Sequence, residues 1–261
     1  MHTQAQSSHV GFKKKNVFMQ SVKRFAKGFA DIIYPALCVS CKKKLTASSI
    51  DNIICLECWR KIQKHTPPFC HRCGRRLMPP FITKHICLGC LKKELHFDRS
   101  VSACAYDGII KKLLHDFKYN GKDYFGATLS KLMIDFIREY DVPMDFFDCI
   151  MPIPLHHTKL REREFNQSQI LGSHIATTFN KKLETSSLIR HRNTKTQTEL
   201  PPQERHLNVK GSFSVADKNA VKNRHILLID DVLTTGATAS EAASTLKEAG
   251  AGVVFLLTLA S

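Results

Sequence analysis

Residues 225–238 read HILLIDDVLTTGAT, and the fold is decided there. Ile226 to Ile229 form a short apolar run, the length of a strand covered on both faces. Asp230 and Asp231 close it. Thr234, Thr235, Gly236, Ala237 and Thr238 follow as a loop of small residues. A helix is predicted from about 238 to 249, ended by Gly250, and Thr238 and Glu241 have capping-box spacing at its start. Strand, small-residue loop and helix in succession is the repeating unit of a parallel sheet.

The same alternation continues on both sides of this stretch. SVSACAY (100–106), FDCIMPIP (147–154) and VVFLLTLA (253–260) read as strands, the second stopped by its prolines. Residues 108–121 read as a short helix. Phe125, Leu129, Leu132, Met133, Phe136 and Ile137 mark one face of a longer one, and 166–179 reads as another. SSLIRH and GSFSV are two more strands, separated by a polar stretch at 192–210. Residues 98–261 are therefore expected to form an α/β domain, a mostly parallel sheet with helices on both faces.

Such sheets bind ligands at the carboxyl ends of their strands, where the 230–238 loop falls. A small-residue loop that opens a helix turns backbone N–H groups toward an anion, and the threonine hydroxyls add donors. The two carboxylates would repel a phosphate, but they can accept from the vicinal hydroxyls of a ribose or sit near its Mg²⁺. The chemistry is that of a sugar phosphate, and the bland alternative is a strand-to-helix turn capped by these residues. Neither a GK[ST] loop nor GxGxxG is present.

The 261 residues are 43% hydrophobic and 24% charged, the balance of a soluble globular chain. The net charge of +16 is unusual and uneven. Residues 1–98 carry 18 Lys and Arg against 5 Asp and Glu, whereas 99–261 carry 21 against 18. A basic front part suggests a polyanionic partner, nucleic acid first. No apolar run of about 18 residues and no secretory signal occur, so the expectation is a cytoplasmic protein without a transmembrane segment. Residues 1–17 read as a disordered tail. Residues 18–37 read as a basic amphipathic helix, with Phe18, Val22, Phe25, Phe29, Ile32 and Ile33 as its stripe, packing on its own domain rather than lying on a membrane.

Eight of the ten cysteines fall in CxxC pairs: Cys38/Cys41, Cys55/Cys58, Cys70/Cys73 and Cys87/Cys90. The unit CxxC, thirteen residues, CxxC occurs twice. A CxxC turn aims two thiolates at one metal ion, and two turns complete the tetrahedron of a structural zinc. Residues 38–95 are thus expected to be a double zinc ribbon binding one or two zinc ions, paired in sequence order or, alternatively, cross-braced. A disulfide framework fits neither the spacing nor a reducing compartment. Lysines and arginines lie between the knuckles, with Trp59 and Phe69 beside them. That pattern suits single-stranded nucleic acid, although the two aromatics are expected to pack the ribbons. Cys104 and Cys149 read as buried fillers, and His156 and His157 as incidental loop histidines.

ILLIDDVLTTGAT resembles the phosphoribosyl pyrophosphate signature of type I phosphoribosyltransferases. The chain from about Phe29 onward is similar to the ComF family of competence proteins, which includes the GntX proteins. FADIIYPALCVSC, CIMPIPLHHTKLREREFNQSQILGSHIA and RHRNTKTQTELPPQERHLNVKGSF each match a segment of that family. Glu164 stands where the family has glycine before Phe-Asn-Gln. The resemblance implies that Asp230 and Asp231 hold ribose hydroxyls and that Thr234, Thr235, Gly236, Ala237 and Thr238 cradle the 5′-phosphate. It implies that Arg161 and Arg163 face the pyrophosphate, and that residues 190–208 form a closing loop with Arg192, Gln197 and Arg205 as contacts. It further implies Mg²⁺ with phosphoribosyl pyrophosphate, single-stranded DNA and other DNA-uptake proteins as partners, and a role in natural transformation. An active phosphoribosyltransferase, amidophosphoribosyltransferase-like, and a ligand-sensing nucleic-acid-binding regulator are the alternatives.

Overall fold

The computed structural model describes residues 35–77, 85–91, 94–119, 123–194, 201 and 204–261. The expected tail and nearly all of the expected helix over 18–37 lie outside them. Pro35 to Leu37 are not helical, and Leu37 bridges to Lys44. The elements in chain order are α1 (Leu56–Arg60), α2 (Leu88–Leu91), β1 (Arg99–Cys104), α3 (Gly108–Tyr119), α4 (Phe125–Glu139), β2 (Cys149–Pro152), α5 (His157–Arg163), α6 (Gln167–Thr178), β3 (Lys182–Leu183), β4 (Leu188–Arg190), α7 (Glu204–Val209), β5 (Phe213–Val215), β6 (His225–Val232), α8 (Ala237–Glu248) and β7 (Val253–Ala260). Among these residues no helix is long and apolar enough to cross a membrane.

Five strands form one parallel sheet in the order β1-β7-β6-β2-β3. β6 lies at its centre because Ile226 to Ile229 present apolar side chains to both faces, and all four are fully buried. Alternation assigns the two faces. Toward one side, Ile150 and Ile229 meet α6 at Gly172, which places α6 against the sheet. α4 packs on α6 and on β1 and β7. On the other side Ile226, Leu228, Val254 and Leu256 join one core with Ala239, Ala242, Ala243 and Leu246 of α8. Burying one full aliphatic side chain contributes about 1.5–3 kcal/mol, so these two layers dominate the stability of the sheet.

The chain divides into two compact units between Trp59 and Arg60. The first four-cysteine set lies in the first unit and the second set in the unit that holds the sheet. Cys70, Cys73, Leu77, Cys90, Leu95 and Phe97 belong to the same core as α8 and the β6–β7 face. Gly74 marks the contact. A Cβ there would stand 2.4 Å from Ser100 O and from Val101 Cα, so the knuckle rests directly on the β1 backbone.

Two local expectations change. The helix after the small-residue loop begins at Ala237, capped by Gly236 at φ +84° with no side-chain cap. Glu241, expected to complete a capping box, instead accepts from the Gly211 N–H. The polar stretch 192–210 contains α7. Its sequence carries no apolar stripe, since Val209 is buried while Leu207 is exposed, and periodicity could not announce it. β4 and β5, the two flanking strands, pair antiparallel.

Candidate functional site

The first unit contributes a metal centre. Cys38, Cys41, Cys55 and Cys58 bring their sulfur atoms within 4.8 Å of one another, and so do Cys70, Cys73, Cys87 and Cys90 in the second unit. The pairing follows sequence order, not the cross-braced alternative. Cys41 and Cys55 sulfurs are 3.7 Å apart, as are those of Cys73 and Cys87. A tetrahedron of thiolates about 2.3 Å from zinc has edges of about 3.8 Å, so both sets fit the ion. Each is also prepared by a backbone donor, Cys55 N to Cys38 Sγ at 3.5 Å and Cys87 N to Cys70 Sγ at 3.3 Å. Burial raises the Cys38 thiol, but N–H donors from Cys55, Cys41 and Ser40 outweigh it and hold it down at about 6.

Exposed cations surround these knuckles, among them Lys42, Lys43, Lys44, Arg60, Lys61 and Arg76. Trp59 is half-buried. Phe69 packs edge-on against Tyr140 at 5.1 Å and against Phe136 at 5.7 Å. Cys104 and Cys149 are buried, and burial pushes their thiols up to about 12 and about 11.

At the carboxyl end of β6 lies a cavity of about 360 Å³. Asp230 still pairs in the sheet, opposite Thr258, Asp231 continues the strand, and both line the cavity. Asp230 Oδ1 accepts from Ser168 Oγ at 3.0 Å and from the Asp231 N–H at 2.9 Å. Lys118 Nζ stands 2.6 Å from Asp231 Oδ2. Burial, then the neighbouring Asp231 charge, push the Asp230 carboxyl up to about 7 against the pull of Lys118. Burial works against the Lys118 ammonium, yet the Asp231 carboxylate more than offsets it and its pKa is raised. The floor is thus a buried carboxylate pair with a lysine held against it.

The loop of small residues bounds one side. Thr234 and Thr238 line the cavity. Thr235 and Gly236 line a smaller recess beside Cys73, Cys87 and Cys90. The Ala237 N–H donates to Thr235 Oγ1 at 3.4 Å, and Ala237 itself is buried. Gly236 adopts its left-handed turn against Leu95, where a Cβ would come within 3.2 Å of Cδ2.

The predicted cations divide. Arg163 and Arg205 line the cavity. Arg163 donates to Gln167 Oε1 at 3.3 Å and to the Tyr119 hydroxyl at 3.4 Å, with its guanidinium 5.1 Å from the Tyr119 ring centre. Arg161 is exposed on α5 and does not line the cavity. Arg192 donates to the carbonyls of Asn208 (3.1 Å) and Lys210 and does not line the cavity. Gln197 lies outside the described residues. Glu164 is exposed, ends α5 at φ +68° and does not line the cavity. His156 is buried, and its Nδ1 accepts from the Thr158 N–H at 3.3 Å to cap α5; burial lowers its pKa.

Sequence reasoning missed Lys111, Lys118, Lys159, Ser168 and Arg190, all in the cavity wall. One signal was available. Lys111, His115 and Lys118 recur at intervals of four and three beside the buried stripe Ile110, Leu113, Leu114 and Phe117 of α3, a second face at helical spacing. Arg190 gave no such signal. It is buried in β4, donates to Thr194 Oγ1 at 2.6 Å and stacks 5.3 Å from the Phe213 ring centre.

Residues 29–91 match the family described as Double zinc ribbon domain. Competence protein ComFC of Bacillus subtilis is 30% identical over 217 residues, 82% of this chain and 79% of that protein. DNA utilization protein YhgH of Salmonella typhi is 30% identical over 168 residues, 63% and 72% of the two chains. Competence protein F of Haemophilus influenzae is 29% identical over 163 residues, 61% and 71%. Among solved structures, the glutamine phosphoribosylpyrophosphate amidotransferase of B. subtilis is similar over 54% of this chain and 26% of its own, at 20% identity and a TM-score of 0.33. A purine phosphoribosyltransferase of Pyrococcus horikoshii is similar over 52% and 73%, at 16% identity and a TM-score of 0.29.

Proposed function

The chain belongs to the ComF family of competence proteins, and on that footing we propose that it binds phosphoribosyl pyrophosphate with Mg²⁺ in the cavity at the end of β6, holds single-stranded DNA on its basic ribbon surface and acts in DNA uptake and natural transformation. The observation that carries the ligand reading is one cavity with two opposed chemistries. Asp230 and Asp231 supply acceptors on the floor, while Lys118, Arg163, Arg190 and Arg205 surround them with cations. A sugar diol suits the carboxylates. A 5′-phosphate suits the Thr234–Thr238 loop at the start of α8, and a pyrophosphate suits arginines, which donate in bidentate fashion. Bound Mg²⁺ would spread the pyrophosphate charge, and Asp230 and Asp231 are the residues that would hold the metal-bearing side of the ligand.

Calorimetric titration with phosphoribosyl pyrophosphate and Mg²⁺ tests the reading. Asp230→Asn/Asp231→Asn is expected to bind at least tenfold more weakly; equal affinity would overturn it. The pH dependence has a definite sign. Burial and the Asp231 charge push the free Asp230 carboxyl well above the usual carboxylate range, and a diol is accepted best by the ionised form, so affinity should fall as pH drops from neutral toward acid.

The DNA reading rests on the exposed cations of the ribbons and on the uneven charge. Filling two zinc sites with eight thiolates lowers the surplus of residues 1–98 from +13 to about +9, so the surface stays basic. Binding of a fluorescent oligonucleotide should weaken steeply with salt, and replacing one phosphate-binding lysine or arginine by a neutral residue should reduce the log–log slope by about 0.7. A second reading, transfer of the ribose phosphate to an acceptor, is favoured by Tyr106 and Tyr119 in the cavity wall, where a flat acceptor could stack. Release of pyrophosphate across a panel of bases and amines would establish it.

A further inference from the structure

The two ribbons correspond position for position at an offset of 32 residues, Cys38 to Cys70 and Cys58 to Cys90. Their hydrogen bonds repeat. Cys38 N donates to Lys43 O at 2.8 Å and Cys70 N to Arg75 O at 2.7 Å; Leu45 N donates to Ala36 O and Leu77 N to Pro68 O. At one corresponding position the side chains act differently. Lys43 stays within its ribbon, 3.2 Å from Glu57 Oε2 and largely in solvent. Arg75 leaves its ribbon, and its Nη2 donates to the carbonyls of Leu233 at 3.2 Å and Thr234 at 2.8 Å.

Those carbonyls belong to the loop assigned above to the phosphate. A trans peptide points its N–H opposite to its C=O. Holding the Leu233 and Thr234 carbonyls toward the ribbon therefore turns the Thr234 and Thr235 N–H groups away from it. The surrounding contacts act in the same sense: His96 N donates to Ser240 Oγ at 3.1 Å in the first turn of α8, and Gly236 packs on Leu95. We propose that Arg75 is a positioning residue of the ligand site, through which the second zinc ribbon sets the peptide planes of the phosphate loop before the ligand arrives. Donors oriented in advance need no reorganisation on binding, which raises affinity without a new ligand contact. Arg75 is exposed as a whole residue, so solvent screening limits the effect.

The inference rests on the ligand reading, and the experiment separates the two. Zinc-loaded full-length protein is titrated with phosphoribosyl pyrophosphate and Mg²⁺ as wild type, Arg75→Met, Arg75→Lys, Lys43→Met and Asp230→Asn/Asp231→Asn. Zinc content and thermal unfolding are checked for each, and Arg75→Gln replaces the Met variant if that one misfolds. Arg75→Met should bind about five- to tenfold more weakly, Arg75→Lys should recover part of the loss, and Lys43→Met should match wild type. Amide exchange across residues 233–236 should quicken in ligand-free Arg75→Met and not in Lys43→Met. Unchanged affinity in Arg75→Met beside a weakened aspartate variant would overturn the role of Arg75 and leave the ligand reading standing. An equal loss in Lys43→Met would overturn it too, by showing a general charge effect. Absence of binding by wild type would remove both.

Discussion

Lys42 and Gly74 occupy the same place in two copies of one ribbon, and both have a left-handed backbone, at φ +64° and +69°. A side chain is tolerated in the first copy because Lys42 is exposed. It is excluded from the second because the Gly74 Cα lies on the β1 backbone. The neighbouring pair, Lys43 and Arg75, diverges in the same direction. A zinc ribbon has little core of its own, so metal ligation folds it, and its outer surface is free to be used. The first copy spends that surface on solvated cations. The second packs Cys70, Cys73, Leu77 and Cys90 into the core beneath α8, where the metal site becomes part of what holds the sheet.

The contrast is broken most directly through the metal. Cys70→Ser should remove one zinc and lower the stability of the sheet unit by several kcal/mol, on the order of 3–5. Cys38→Ser should remove one zinc and leave the unfolding of that unit unchanged. Metal analysis with calorimetry checks both; equal losses would show that the ribbons serve the sheet alike. A smaller effect is expected at the knuckle turn. Gly74→Ala forces a Cβ onto backbone atoms that cannot swing aside, costing about 2–3 kcal/mol, whereas Lys42→Ala should stay within about 0.5 kcal/mol. Chemical denaturation distinguishes them. An effect smaller than that at Gly74 concerns Glu164, which is left-handed and exposed like Lys42. Glu164→Gly should stabilise the protein by about 1 kcal/mol through relief of its backbone, raising the melting temperature by a few degrees. A fall in stability would mean the Glu164 side chain contributes a contact that outweighs its conformation.

Much of the site could be read from residues in line. Asp230, Asp231, Thr234 and Thr238 are adjacent in sequence and adjacent in the cavity, because a strand end and the loop after it are one local structure. Arg163 and Arg205 came through the family resemblance and do reach the wall. Arg161 and Arg192 do not line it, since a helix or a loop turns neighbouring side chains to different sides and spacing alone does not say which. Glu241 shows the same limit. Its spacing satisfied a capping rule, but a distant N–H, that of Gly211, competed for the carboxylate.

The sequence by itself determined the eight cysteine ligands and their four CxxC pairs, since a tetrahedral ion demands closely spaced thiolates; which pairs share an ion was decided by the tertiary structure. The sequence also determined the central strand and the donor-rich loop, since apolar runs and small residues act locally. Only the tertiary structure decided that Lys118 meets Asp231 across 113 residues, that Arg190 and Ser168 complete the cavity, and that the second ribbon lies on β1 and grips the loop through Arg75. Those contacts depend on how separate elements dock. Docking is selected by the shape and burial of whole faces, which no local pattern of residues records.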